Sequence, residues 1–167
     1  MEREPNNFYA LFGLADCYRG MNQQFKSIEY WNRILELDPN NKVILTRAGD
    51  AFRTTGNLDK AVEYYNKALQ IRECKLGKQH PDVATSYNNL GAAYSEINLS
   101  KALDCHYIAL NMRKDLLGSE DLDVGISYAN ICSVLLKLGK FEEGKQNILK
   151  ALEIQNRRVG EYHENTS

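Results

Sequence analysis

No stretch of this chain is apolar for long enough to span a bilayer; its apolar runs are short and broken by charge. The opening residues, Met1-Glu2-Arg3-Glu4-Pro5-Asn6, hold no apolar signal region. Neither sign of charge dominates: 21 Lys and Arg stand against 22 Asp and Glu, a net charge of -1, so no broad attraction to nucleic acid or to an anionic membrane is expected. Proline is scarce, with three in 167 residues, while Leu, Ala, Lys, Glu and Asn are frequent, which favours helices over sheets. The four cysteines, Cys17, Cys74, Cys105 and Cys132, form no CxxC and have no regular pairing with histidine. They read as small buried or half-buried residues of a reducing compartment, which makes a cytoplasmic location the expectation.

Signals for chemistry are missing too. There is no glycine-rich phosphate loop, no acidic metal cluster and no zinc-ligand spacing. His80, His106 and His163 fall in separate parts of the chain, and the adjacent Cys105-His106 would point to different faces of a helix. No enzyme activity, metal or cofactor is expected.

What the chain does have is repetition. Leu14-Ala15-x2-Tyr18, Ala48-Gly49-x2-Phe52 and Leu90-Gly91-x2-Tyr94 are nearly the same phrase, and Ile131-Cys132-x2-Leu135 is a weaker fourth copy. The copies lie 34, 42 and 41 residues apart, and each is followed by a small residue: Ser27, Ala61, Ala102 and Gly144. A period of this length marks a stacked array of helix hairpins. Helical apolar spacing places a first and a second helix in each of four units, about 7–41, 42–80, 81–121 and 122–160. That makes a single all-α array over 1–167, eight helices in all, with 161–167 opening a truncated fifth unit. Breaks are expected at Gly20-Met21-Asn22, Thr55-Gly56-Asn57, Ile97-Asn98-Leu99 and Gly139, and at Asp38-Pro39 between units. After unit two the longer period comes from an extended second helix ending at Leu76-Gly77, with His80-Pro81-Asp82 starting the next. The corresponding endings are Leu117-Gly118 and Val159-Gly160.

The recurring small residues allow paired helices to approach where they cross. Ala15, Gly49, Gly91 and Cys132 do so on first helices, while Tyr18, Phe52, Tyr94, Trp31 and Tyr65 fill the space between hairpins. A helical glycine costs roughly 1 kcal/mol relative to alanine, so Gly49 and Gly91 imply a steric requirement.

The pattern resembles the tetratricopeptide repeat, in which a small residue and an aromatic on the first helix pair with an alanine and an aromatic on the second. Unit one departs from it at Asn22, where glycine is usual, and at Ser27, where alanine is usual. His106 stands where an aromatic is expected. Units three and four are similar to the longer repeats of kinesin light chains and related scaffolds, through Ala68-Leu69-x-Ile71-Arg72-x3-Leu76-Gly77-x2-His80-Pro81-Asp82-Val83-Ala84-x2-Tyr87-Asn88-Asn89-Leu90. The resemblance implies a right-handed superhelical solenoid whose first helices line a concave, peptide-binding surface. It also makes an asparagine at the place of Asn89 and Asn130 a frequent contact to peptide backbone.

The residues expected on that face are Phe12, Asp16, Arg19, Arg47, Asp50, Asn88, Asn89, Asn130, Ser133 and Lys137. The bland alternative is that these are solvated polar positions of ordinary helices. The face is of mixed charge: Phe12, Asp16 and Asp50 stand where a clamp for a chaperone's terminal carboxylate would need cations or amides. His80-Pro81-Asp82 is also the tripeptide of J-domain cochaperones, but at a repeat junction it reads as a helix start.

The expected function is non-catalytic binding of a protein or peptide partner. A second reading is a structural or excised repeat piece without a ligand, self-associating through the last helix near Leu149, Leu152 and Ile154. A third is a regulatory domain whose catalytic part lies elsewhere.

Overall fold

Residues 7–164 are described in the computed structural model, and their side chains over 7–157. All regular structure among them is helical: α1 Phe8–Gly20, α2 Gln24–Leu37, α3 Lys42–Thr54, α4 Leu58–Leu76, α5 Pro81–Tyr94, α6 Leu99–Leu117, α7 Leu122–Lys137 and α8 Phe141–Glu164. The chain divides into two compact units at Lys75/Leu76. Unit 1 holds α1 to α4 and unit 2 holds α5 to α8. None of the described helices is long and apolar enough to cross a membrane.

Short polar side chains start the helices. Asn7, Asn41, Asn98 and Asp121 each accept a hydrogen bond from a backbone N–H of the first turn they precede. His80 does the same for α5, its ring accepting from Asp82 N at 3.1 Å, with Pro81 in the first turn. The tripeptide is therefore a helix start. Within three hairpins the turn needs one left-handed residue, supplied by Asn22 (φ 59°), Gly56 (φ 79°) and Gly139 (φ 74°). Asparagine can replace glycine at such a place because it tolerates this region better than other side chains do.

The longer period has the predicted origin. α2 has 14 residues, whereas α4 and α6 have 19 each. Gly77 (φ 81°) and Gly118 (φ 87°) follow the last turns of α4 and α6. The third such ending, expected at Val159-Gly160, is not observed: α8 continues through both to Glu164. Gly77 and Gly118 take the left-handed conformation after a last turn, whereas Gly160 lies inside the helix; glycine permits a helix end without imposing one. Residues 165–167 lie outside the described residues.

Each crossing is tight, but the small residues of facing helices do not simply meet each other. In the first hairpin Ser27, fully buried, donates from Oγ to the Ala15 carbonyl at 2.9 Å. In the second, a Cβ on Gly49 would stand 2.7 Å from the Tyr65 ring. In the third, a Cβ on Gly91 would stand 2.6 Å from the His106 ring. The glycines thus make room for a ring from the second helix. The fourth, at Cys132, is buried with Gly144, whose nearest side-chain neighbour is Leu136.

Trp31, Tyr65, Leu11 and Ile34 are fully buried in unit 1, and Val83, Val124, Ile131 and Leu135 in unit 2. A cluster of Leu110, Val124, Ile131, Leu135 and Ile154, flanked by Leu103 and Tyr128, joins α6, α7 and α8. Leu14, expected on the apolar face of α1, is 37% exposed, as it lies at the edge of the face that buries Leu11 and Ala15. Cys17 and Cys74 are also exposed, against the expectation of burial, while Cys105 is half-buried and Cys132 buried; all four are free thiols. Position on a helix face, not cysteine's apolar character, decides exposure here. Burial, helped by Asp104, pushes the Cys105 thiol up to about 11, so it is held protonated and unreactive.

Candidate functional site

In unit 1 the predicted first-helix residues form one contact cluster. α1 carries Phe12, Asp16 and Arg19 at spacings of four and three, which puts them on one side of the helix. α3 brings Arg47 against them. The Arg47 Nη1 donates to Asp16 Oδ1 at 2.8 Å, and Arg19 Nε donates to the same oxygen at 3.1 Å. The Arg47 guanidinium also lies over the rings of Phe12 and Trp31, 5.0 and 5.7 Å from their centroids. Phe12 meets Trp31 edge-on at 5.3 Å. Arg47 is thereby held in place by one carboxylate and two rings, each cation–π contact contributing about 0.5–1 kcal/mol at such partly exposed sites.

Asp50, one turn further along α3, has a different partner. It accepts from the Tyr65 hydroxyl at 2.6 Å. Burial first, and then the negative charge of Asp50, push the Tyr65 phenol far above its ordinary value, so it remains a donor at any physiological pH.

In unit 2 the predicted amides come together. Asn130 Nδ2 on α7 donates to Asn88 Oδ1 on α5 at 2.7 Å, and both are half-buried. A side-chain amide has two N–H donors and an oxygen with two lone pairs. The bond therefore orients both side chains and leaves the Asn130 oxygen and the Asn88 N–H groups to serve another partner. Two turns along, Lys137 Nζ reaches from α7 to Glu96 Oε1 at 2.6 Å and to the Ser95 carbonyl at 3.1 Å. That pair is largely exposed, so it contributes at most about 1 kcal/mol. Asn89 is half-buried, and Ser133 is exposed. Neither is drawn into the amide pair.

The repeat alignment pairs Asn130 with Asn89, yet Asn130 bonds to Asn88. Equivalence within the repeat and contact between neighbouring repeats are separate relations. The sequence carries the first and gives no direct sign of the second. The ring of Trp31 beneath Arg47 was missed for the same reason, and the bond of Asp50 to Tyr65, within one repeat, has no sign in the signature either.

Unit 2 also buries polar groups beside this face. Arg113, 6% exposed, donates from Nη1 to Ser127 Oγ at 2.8 Å and to the Asp123 carbonyl at 3.1 Å. His106, 2% exposed, has no hydrogen-bond partner at Nδ1. Burial, and then the nearby Arg113 charge, lower its pKa from 6.5 to about 4. The ring is therefore neutral and serves as a flat packing group over Gly91. Among the described residues no three His, Cys, Asp or Glu side chains gather as a metal site, and no nucleophile–base pair appears among the contacts above.

Sequence profiles of the tetratricopeptide repeat match residues 8–41, 43–115 and 126–158. No curated protein sequence matches the chain. Among solved structures, BtubC (BKLC) from P. vanneervenii is 24% identical with a TM-score of 0.82, over 96% of this chain and 68% of that one. A kinesin light chain-like protein with nearly identical repeats, from Podosopora anserina, is 16% identical with a TM-score of 0.79, over 94% of this chain and 80% of that one. The MamA fragment from Desulfovibrio magneticus RS-1 is 14% identical with a TM-score of 0.73, over 91% and 77% respectively. At these identities the likeness is one of fold.

Proposed function

The chain belongs to the tetratricopeptide repeat family, and from that premise we propose that it is a non-catalytic scaffold holding an extended peptide segment of a partner against its first-helix faces. The fold itself implies protein–protein interaction. The observation that carries the finer reading is the Asn88–Asn130 pair. An extended peptide presents alternating N–H and C=O groups, and an oriented amide pair with an acceptor and N–H donors to spare can engage both. Because each amide already holds the other, little side-chain freedom is lost on binding. Asn89 on the same face adds a third amide. In unit 1 the half-buried Phe12 ring and Arg47, fixed over it and over the buried Trp31, would supply an apolar and cationic anchor.

The test is peptide selection by phage display on the intact chain. Selected peptides should lose binding to the Asn89→Ala and Asn130→Ala variants. Peptides that bind both variants undiminished would remove the amide face from the account.

A second reading has its own observation. α7 and α8 enclose an apolar cleft of about 330 Å³ whose lining includes Leu122, Ile126, Ala151 and Leu152. Leu149 and Leu152 beside it are 54% and 46% exposed, while Ile154 is buried in the core. Exposed leucines around a cleft favour self-association. A monomer by light scattering at high concentration would exclude this second reading.

A further inference from the structure

Unit 1 contains a polar cleft of about 340 Å³ where the last turns of α1 and α3 meet the first turn of α2, lined by Arg19, Gln24, Arg47, Asp50, Arg53 and Thr54. Arg53 and Gln24 belong to no repeat signature, and Arg19 and Arg53 take the same place, four residues after Ala15 and Gly49.

The charges around the cleft do not balance. Three guanidiniums stand against two carboxylates. Arg19 and Arg47 both use Asp16, and they use the same oxygen of it. Asp50 gives an oxygen to the Tyr65 hydroxyl, and Arg53 acts on that hydroxyl as well. One positive charge is left without a carboxylate. Donors are left too: Arg19 gives Asp16 its Nε and Arg47 an Nη, each out of five N–H groups. The Gln24 amide adds neutral donors in the same wall. Arg47 is already fixed by the rings of Phe12 and Trp31, so binding through it loses little side-chain entropy.

We propose that this cleft takes the side-chain carboxylate of a Glu or Asp in the bound partner segment. A monoanion matches the single uncompensated charge. A phosphate, with about twice that charge, would set its excess against Asp50 in the wall. The assignment rests on the peptide-scaffold reading above and names the chemistry of its ligand: an acidic segment, with an internal acidic side chain seated at the hairpin end of unit 1.

The experiment is fluorescence anisotropy of the intact chain at low ionic strength with labelled, C-terminally amidated hexaglutamate. Hexaglutamine and hexaphosphoserine serve as comparisons. Amidation removes the terminal carboxylate, so only side chains supply charge. Hexaglutamate should bind saturably, at least about tenfold tighter than hexaglutamine, since charge-assisted hydrogen bonds to arginine are the ones lost. Arg53→Gln should weaken it about tenfold, and Thr54→Glu, an exposed change that places a negative charge in the cleft, should do the same while leaving the circular dichroism spectrum unchanged. Absence of saturable hexaglutamate binding, equal binding of hexaglutamine, tighter binding of hexaphosphoserine, or indifference to both substitutions would overturn the proposal. Its failure is distinguishable from that of the scaffold reading. If display-selected peptides still lose affinity on Asn130→Ala while hexaglutamate fails, the scaffold reading stands and the carboxylate cleft falls.

Discussion

Gly91 lies so close under the ring of His106 that a Cβ would stand 2.6 Å from Cε1 and 2.7 Å from Nε2. Real Cβ atoms essentially never sit that near a heavy atom of another residue in space, so either the ring or the backbone must move. Leucine at Gly91 should overpack the third hairpin and destabilise the protein by about 1–3 kcal/mol. For a chain of this length that is a fall in Tm of roughly 2–4 °C per kcal/mol. Thermal melting followed by circular dichroism checks it. A variant that melts with the parent chain would mean that the helices do not cross at Gly91.

The same ring makes stability depend on pH. The pKa of His106 is about 4 in the folded protein, against 6.5 when free, through burial and then the charge of Arg113. The unfolded chain therefore binds the proton more readily. The stability contributed by the neutral ring is complete above about pH 6.5 and is lost as pH falls toward 4, at up to about 1.4 kcal/mol per unit. His106→Phe keeps a ring over Gly91, as Tyr65 stands over Gly49, and has no proton to bind. The variant should gain on the parent chain steadily between pH 6.5 and 4 in urea unfolding. Parallel stability curves across that window would show that the ring is not desolvated.

Asn22 holds a φ of 59° in the first hairpin turn, the place taken by Gly56 and Gly139 elsewhere. Asn22→Gly should leave stability unchanged or raise it, whereas Asn22→Ala should cost about 1 kcal/mol, since a Cβ without a helpful polar group is strained there. Urea midpoints of the two variants supply the comparison. Equal midpoints would contradict the left-handed turn.

How much of this was legible beforehand follows from what repeats. Gly49, Gly91, Gly77 and the His80-Pro81-Asp82 helix start are local requirements of backbone and crossing. They recur at fixed spacing, so the helices, the two periods and the turns could be read directly. The end of α8 could not, because Val159-Gly160 copies the Leu-Gly endings of α4 and α6 in sequence while its glycine stays helical, and glycine permits a helix end without imposing one. The site was half legible. Periodicity put Asp16, Arg47, Asn88 and Asn130 on first-helix faces, but the register between neighbouring repeats decides their partners. That register depends on packing over dozens of residues, as when Asn130 bonds Asn88 and not its repeat equivalent Asn89. Arg53 and Gln24 escaped notice because they belong to no repeat signature, although Arg53 repeats the place of Arg19.

The central claim is that oriented amides on the first helices hold a partner's backbone. The most direct measurement is the affinity of a display-selected peptide for the parent chain and for Asn130→Ala, by isothermal titration. Losing the hydrogen bonds of one amide and the orientation of the other should weaken binding about tenfold while the Tm changes by no more than a few degrees. Equal affinities for the two proteins, with the peptide still bound, would contradict it.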